Sequence, residues 1–136
     1  MRALLLGILL LGACSAAPEP ELKAGEYVVP GETPTVGGAR IRVDPPDAQI
    51  VMLGGCSANF VGYQVERGRL IVVNEEVTAE TCFDGGPYAD DVNNRVSELL
   101  NKSPRVTLTD RGFDLTPGAG GQPVSFVHLQ KNAQSE

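Results

Sequence analysis

The chain has 136 residues, a formal net charge of −6 at pH 7 and 5% aromatic residues. This length suits one domain with a hydrophobic core and leaves no room for a second. The excess of acid disfavours nucleic acid and anionic head groups as partners, and few aromatic side chains are available to stack on bases. We therefore predict no nucleic-acid binding, whereas a cationic protein partner would be steered toward such a surface.

The N-terminus matches a bacterial lipoprotein signal peptide. Arg2 precedes an apolar run at 3–10, and Leu-Gly-Ala-Cys at 11–14 matches the box at which lipoproteins are lipidated and cleaved. The run is shorter than the roughly 20 residues of a transmembrane helix. We predict a signal peptide at 1–13 and lipid on Cys14, which would hold the mature protein on its membrane. A buried N-terminal helix ending in cysteine is the less favoured alternative.

The residues after Cys14 predict a tether. Residues 15–21 are small, acidic and proline-bearing, so they can bury little, and we assign 14–26 to the lipidated cysteine and a flexible tether. The pattern resembles that of Gram-negative lipoproteins, in which a residue other than Asp after the lipidated cysteine favours export to the outer membrane. Here that residue is Ser15. We therefore expect a lipid-anchored protein of the cell envelope, in the outer membrane and facing the periplasm. The domain is predicted at 27–130, followed by a disordered tail at 131–136.

Strand patterns dominate the predicted domain. Val61, Tyr63 and Val65 alternate with more polar or smaller residues, and Arg67-Gly68 is a tight-hairpin signal because glycine tolerates positive φ. Such hairpins favour a mostly antiparallel sheet. The apolar or β-rich runs lie at 27–29, 39–43, 49–53, 60–66, 69–73, 105–109, 113–116 and 124–129.

One segment has helical spacing instead. After Pro87, Val92, Val96, Leu99 and Leu100 recur at i, i+4, i+7 and i+8. Acidic residues near its start and Lys102 near its end suit the helix macrodipole, and Ser103-Pro104 ends it. The predicted fold class is therefore α+β, a mostly antiparallel β-sheet with one amphipathic helix packed on it.

Two cysteines remain once Cys14 carries lipid. Cys56 and Cys82 form an even pair in an oxidising compartment, and we predict a disulfide between them. Two separate buried thiols, or a redox pair without C-x-x-C spacing, are the alternatives. A metal site built from both cysteines, Met52 and His128 lacks the short spacings typical of zinc sites. No metal and no cofactor are predicted.

The residues around both cysteines resemble the META domain of HslJ-like proteins. The resemblance covers residues 39–130: Gly55-Cys56-Ser57, Tyr63 seven positions after the cysteine, and Thr78-x-x-x-Cys82, followed by a helix and closing strands. The family motif has Asn where Ser57 stands, and many members carry a tryptophan that this chain lacks. The resemblance implies a META-like β-rich domain in which Gly55, Tyr63 and Thr78 are motif residues. It also implies a link to envelope stress rather than catalysis.

The candidate catalytic residues do not form a constellation in the sequence. The one histidine, His128, has no neighbouring acid and is interpreted as a surface or edge-strand residue. Residues 118–121 are glycine-rich but lack the Lys-Ser/Thr of a phosphate loop. The pairs Glu75-Glu76 and Asp90-Asp91 are adjacent, so their side chains point apart along a strand or helix and cannot flank a bond.

Three functions are considered. We predict a non-enzymatic, stress-related structural or binding module. The alternative is an inhibitor that presents Glu75-Glu76 or Asp90-Asp91 to a cationic envelope-attacking enzyme such as a lysozyme or protease. A cysteine-dependent redox enzyme is the third.

Overall fold

The computed structural model describes residues 17–28, 40–54, 57–78, 86–118 and 120–129. Within these residues, eight antiparallel strands form a closed barrel in chain order, and one α-helix lies between the fifth and sixth strands. A one-turn 3-10 helix, Pro45–Asp47, joins the second and third strands. The elements are β1 (Gly25–Val28), β2 (Arg40–Asp44), β3 (Gln49–Gly54), β4 (Ser57–Glu66), β5 (Arg69–Thr78), α1 (Gly86–Leu100), β6 (Arg105–Leu108), β7 (Gly112–Thr116) and β8 (Val124–His128).

The predicted strand runs all overlap observed strands. The Arg67-Gly68 hairpin joins β4 to β5, and both of its residues have positive φ, 51° and 72°. This conformation matches the twist of the flanking strands and is favourable for glycine. Local sequence patterns therefore place the hairpins correctly.

The predicted fold class, α+β with a helix packed on a sheet, is wrong. β1 pairs with β8 through Tyr27↔His128 and Val28↔Val127, so the sheet closes on itself. Closure leaves the two terminal strands paired rather than exposed as sheet edges. The pairing joins two strands from opposite ends of the domain's sequence. Hydrophobic periodicity relates residues that are close in the sequence, so it does not predict such a contact.

Side chains fill the interior of the barrel. Buried positions alternate along strands such as β2 and β7, and the inward-facing side chains of all eight strands meet in one buried cluster. Three aromatic rings pack where β1, β7 and β8 meet: the centroids of Tyr27 and Phe113 are 4.9 Å apart at 62°, and those of Phe113 and Phe126 are 4.9 Å apart at 12°. The other buried members are Leu22, Ile41, Val43, Ile50, Met52, Val61, Tyr63, Leu70, Val92, Val96, Leu99, Leu100, Val106 and Leu115.

The helix is part of the barrel core rather than a separate layer. α1 contacts β3 and β5, and its predicted apolar face is buried in the same cluster as the barrel interior. Among the described residues, β6 pairs with β5 only through Arg69↔Arg105. α1 therefore packs beside the length of β5 that β6 leaves unpaired. Its outward positions, Asp91, Asn94, Arg95 and Glu98, are exposed as predicted.

A β-bulge changes which side of β5 each residue faces. Gly62 pairs with Asn74 but Tyr63 pairs with Val72, which leaves Val73 as the extra residue. The backbone N–H of Gly62 donates a hydrogen bond to Oδ1 of Asn74 at 3.1 Å, so the bulge has its own side-chain support.

The bulge also places Glu75 where it can hold the helix. Beyond the bulge, Glu75 lies opposite the buried Val61. Oγ of Ser97 donates to its carboxylate at 2.6 Å, and Nδ2 of Asn101 donates to the same group at 3.4 Å. The pair Glu75-Glu76 therefore lies in a strand rather than in a loop, and Glu75 ties α1 to β5.

Candidate functional site

Residues 17–24, which we call the strap, cross one end of the barrel. The strap reaches the turn between β4 and β5 at Glu19 and enters β1 at Gly25. Because the eight strands follow one another around the barrel in chain order, β1 and β5 stand on opposite sides of it. Alternate turns of an antiparallel meander lie at the same end, so the turns at 45–48, 67–68 and 109–111 surround the strap. We call this the strap end.

The strap overlaps the predicted tether, 14–26, and two of its side chains, those of Leu22 and Glu19, fix it across the strap end. Residues 17–23 have no regular secondary structure, a bend follows at Ala24, and most of the strap is exposed. Leu22, however, is 2% exposed and belongs to the core cluster. Its side chain closes the strap end of the interior.

The second fixed point is a carboxylate clamp on the hairpin turn. The backbone N–H groups of Arg67 and Gly68 donate to Oε1 and Oε2 of Glu19, each at 2.7 Å. Hydrogen bonds to an ionised acceptor are shorter and stronger than neutral ones, and two parallel bonds also fix orientation. We call this pair of bonds the Glu19 clamp.

His128 sits at the seam where the barrel closes. Its ring lies edge-on to that of Tyr27, with centroids 5.1 Å apart at 86°, and Nε2 is 3.3 Å from the carbonyl oxygen of Ala24. Gly25 has φ +141°, and a Cβ there would overlap Nε2 of His128. Glycine at this position therefore lets the imidazole pack directly on the strap backbone.

Two surface clefts flank His128. One, of about 580 Å³, is lined by Glu21 and Lys23 of the strap, by Asp110 and Arg111 of the β6–β7 turn, and by His128. We call it the mixed-charge cleft. Its walls are fixed by backbone contacts: the N–H of His128 donates to the carbonyl of Arg111 at 2.7 Å.

The second cleft lies on the other side of the seam. It has a volume of about 710 Å³ and is lined by Glu26, Arg42, Asp44 and His128 among others. Glu26 and Arg42 are cross-strand partners on β1 and β2. The strap end thus presents carboxylates and cations side by side rather than one sign of charge.

The tyrosines at this end are suited to packing rather than to proton transfer. Burial raises the pKa of Tyr27, and its hydroxyl donates to the carbonyl of Lys23 at 2.6 Å. Burial raises the pKa of Tyr63 as well, and the negative charges of Glu21 and Asp44 raise it further. Both hydroxyls therefore stay protonated at neutral pH.

The structure separates the predicted motif residues. Tyr63 lies inside β4 and is 7% exposed, whereas Thr78 ends β5 and donates from Oγ1 to the carbonyl of Ala58 at 3.5 Å. The two therefore do not form one site. Cys14, Gly55, Cys56 and Cys82 lie outside the described residues, so the lipidation, the Gly55 motif and the disulfide stay predictions.

Two further findings concern metal and membrane. Within the described ranges, no three His, Cys, Asp or Glu side chains are grouped to hold a metal ion. None of the helical residues that the structure describes forms a span long and apolar enough to cross a membrane.

Sequence reasoning missed Glu19 and Leu22. Glu19 lies between two prolines in an acidic stretch, and Leu22 is a single apolar residue without periodic neighbours. The only usable signal is the positive-φ turn at Arg67-Gly68, whose free N–H groups need an acceptor.

Comparison of the chain with models of protein families, with curated proteins and with solved structures gives no match. The resemblance to the META domain therefore remains a prediction.

Proposed function

We propose that this chain is a lipid-anchored envelope protein, attached through Cys14, that binds a partner without turnover at its strap end. The observation that carries the proposal is the mixed-charge cleft, in which Lys23, Arg111, Glu21 and Asp110 line one space beside His128. Its place in the envelope, at the outer membrane facing the periplasm, and its META-like role in envelope stress belong to the same proposal.

The packed interior supports surface recognition. In ligand-carrying eight-stranded barrels the ligand occupies the interior. Here Tyr27, Phe113 and Phe126 fill one side of the interior, Leu22 closes the strap end, and α1 adds further buried side chains. A partner is therefore better accommodated by the clefts outside the barrel.

The lining of the mixed-charge cleft suggests the class of partner. Two cations and two carboxylates line this cleft, so a ligand of either single sign would meet like charge as well as opposite charge, whereas a segment that carries both signs can pair with both. Polypeptide chains supply such segments. We infer that the partner is a protein of the envelope that presents a short, mixed-charge peptide segment.

The contacts of the acidic pairs give less support to the inhibitor alternative. Glu75 accepts hydrogen bonds from α1, and Asp91 pairs with Arg95 at 3.3 Å. A cationic lysozyme or protease would have to compete with these internal contacts. The exposed Asp91–Arg95 pair adds little stability, so it would compete only weakly with a cationic partner for Asp91. The hydrogen bonds from α1 would compete more strongly for Glu75.

In-cell photo-crosslinking tests the binding site and captures whichever partner occupies it. A photo-reactive phenylalanine analogue in place of Thr109 should give a discrete adduct with an envelope protein, because this uncharged side chain lines the cleft and is exposed. The matched control is the same replacement of Arg105, which is exposed on β6 and outside the cleft.

Charge reversal then tests the recognition chemistry. Arg111→Glu should reduce the yield of the Thr109 adduct about tenfold, as a loss of about 1.4 kcal/mol would. Arg105→Glu should leave the yield unchanged. The site is misassigned if both crosslinking positions give the same products, or if the two reversals act alike.

Fractionation tests the anchor. Cys14→Ser should block processing and move the protein from the membrane fraction to the soluble fraction, because the acyl chains can no longer be attached. Ser15→Ala serves as the control and should stay with membranes. If the Cys14→Ser protein still sediments with membranes, the lipoprotein assignment fails.

A further inference from the structure

The strap end is the part of the protein closest to Cys14 along the chain. Cys14 stands five positions before Glu19, and Glu19 is bound to the turn between β4 and β5. From Glu19 onward the chain belongs to the barrel, because Leu22 is buried in the core and Gly25 begins β1. The free length between lipid and barrel is therefore set by the Glu19 clamp and not by the start of β1.

That free length is short compared with the barrel. A fully extended chain spans at most about 3.6 Å per residue, so the steps from Cys14 to Glu19 reach at most about 18 Å. A tether that ran freely to Gly25 would reach about 40 Å. The ten residues of β5 are about 33 Å long and, at the tilt of an eight-stranded barrel, rise about 25 Å along the axis.

We infer that the barrel is held with its strap end facing the bilayer and its opposite end, where β7 turns back into β8, pointing away. This inference rests on the proposed lipid anchor at Cys14. The clamped tether is too short for the barrel to stand on the bilayer with its opposite end down. The lipid surface is thus the neighbour of the strap end, and the mixed-charge cleft opens close to that surface.

The orientation assigns a location to the partner as well. A protein that enters the mixed-charge cleft would do so near the membrane, so an integral or lipid-anchored envelope protein fits the site better than a freely diffusing one. The Glu19 clamp is the positioning contact, since it converts a long tether into a short one.

Energy transfer from a single tryptophan to labelled lipid tests the orientation directly. The chain contains no tryptophan. Asp110→Trp would place the donor at the strap end, and Gln122→Trp would place it in the loop at the opposite end; both positions are exposed. Full-length, lipidated protein would be reconstituted in phosphatidylcholine vesicles that carry a dansyl-labelled head group.

We expect several-fold greater transfer from the Asp110→Trp variant than from the Gln122→Trp variant. Adding Glu19→Ala should shrink this difference, because the tether then lengthens to Leu22. Glu21→Ala, which changes the neighbouring strap acid and leaves the Glu19 clamp in place, should preserve it. Near-ultraviolet circular dichroism of the Glu19→Ala protein would establish that the barrel is still folded.

The two proposals fail in different ways. Protein that floats away from the vesicles, with no transfer from either position, overturns the lipid anchor and the orientation with it. Protein that stays on the vesicles but transfers equally from both positions overturns the orientation alone. An unchanged difference in the folded Glu19→Ala protein would show that the clamp does not set the orientation, which also overturns the inference.

Discussion

Replacing Phe113 by alanine is expected to lower the free energy of unfolding by about 3 to 5 kcal/mol. The side chain is 2% exposed and lies between the rings of Tyr27 and Phe126. Its removal would leave a cavity at the place where β1, β7 and β8 meet, and two aromatic contacts would be lost. Chemical denaturation of the soluble domain, followed by circular dichroism, measures the effect.

Thr107→Ala is the control for this prediction. Thr107 is exposed on β6, and a surface change of this kind should stay within about 0.5 kcal/mol. The comparison tests barrel closure, because Tyr27 joins the pair Phe113 and Phe126 only when β8 returns to β1. A loss below about 1 kcal/mol for Phe113→Ala, no more than for an exposed site, would argue against the closed core.

The hairpins could be predicted from the sequence because each is a local event. The alternation of Val61, Tyr63 and Val65 and the positive-φ turn at Arg67-Gly68 are encoded within a few residues. Pairing of Tyr27 with His128 is encoded by neither segment alone. β1 has only four residues, and it closes the barrel by pairing with β8, the last strand of the domain. Closure can therefore be recognised only from the arrangement of all eight strands.

The strap shows a second limit of sequence patterns. A stretch rich in proline and acid is typical of a flexible tether, and that composition does describe the exposed residues of the strap. Its two side-chain attachments depend on partners far along the chain: Glu19 on the turn at Arg67-Gly68, and Leu22 on a core that the barrel provides. Composition predicts how little a segment can bury, but not whether one residue in it is bound elsewhere.

The candidate site could not be predicted because it depends on contacts between distant segments. His128 has no acidic neighbour in the sequence, but closure brings it beside Ala24 and Gly25 of the N-terminal segment. The mixed-charge cleft likewise combines strap residues with the β6–β7 turn. No pattern around His128 in the sequence indicates that it lies beside a cleft, since the other walls come from two separate segments, the strap and the β6–β7 turn.

The helix gives the second large expected effect. Leu99→Ala should cost about 2 to 5 kcal/mol of unfolding free energy. Leu99 is 8% exposed and lies in the same buried cluster as the barrel interior. Since α1 packs where β6 does not pair with β5, shortening this side chain would open a cavity in the barrel core. A helix that left Leu99 exposed would give a smaller loss.

Asn94→Ala is the matched change on the same helix. Asn94 is exposed, and its replacement should change the unfolding free energy by no more than about 0.5 kcal/mol. Urea denaturation of both variants gives the two values under one condition. Equal losses would contradict the observed helix face, whereas a large loss at Leu99 alone is the result expected of a helix whose apolar face is buried in the barrel core.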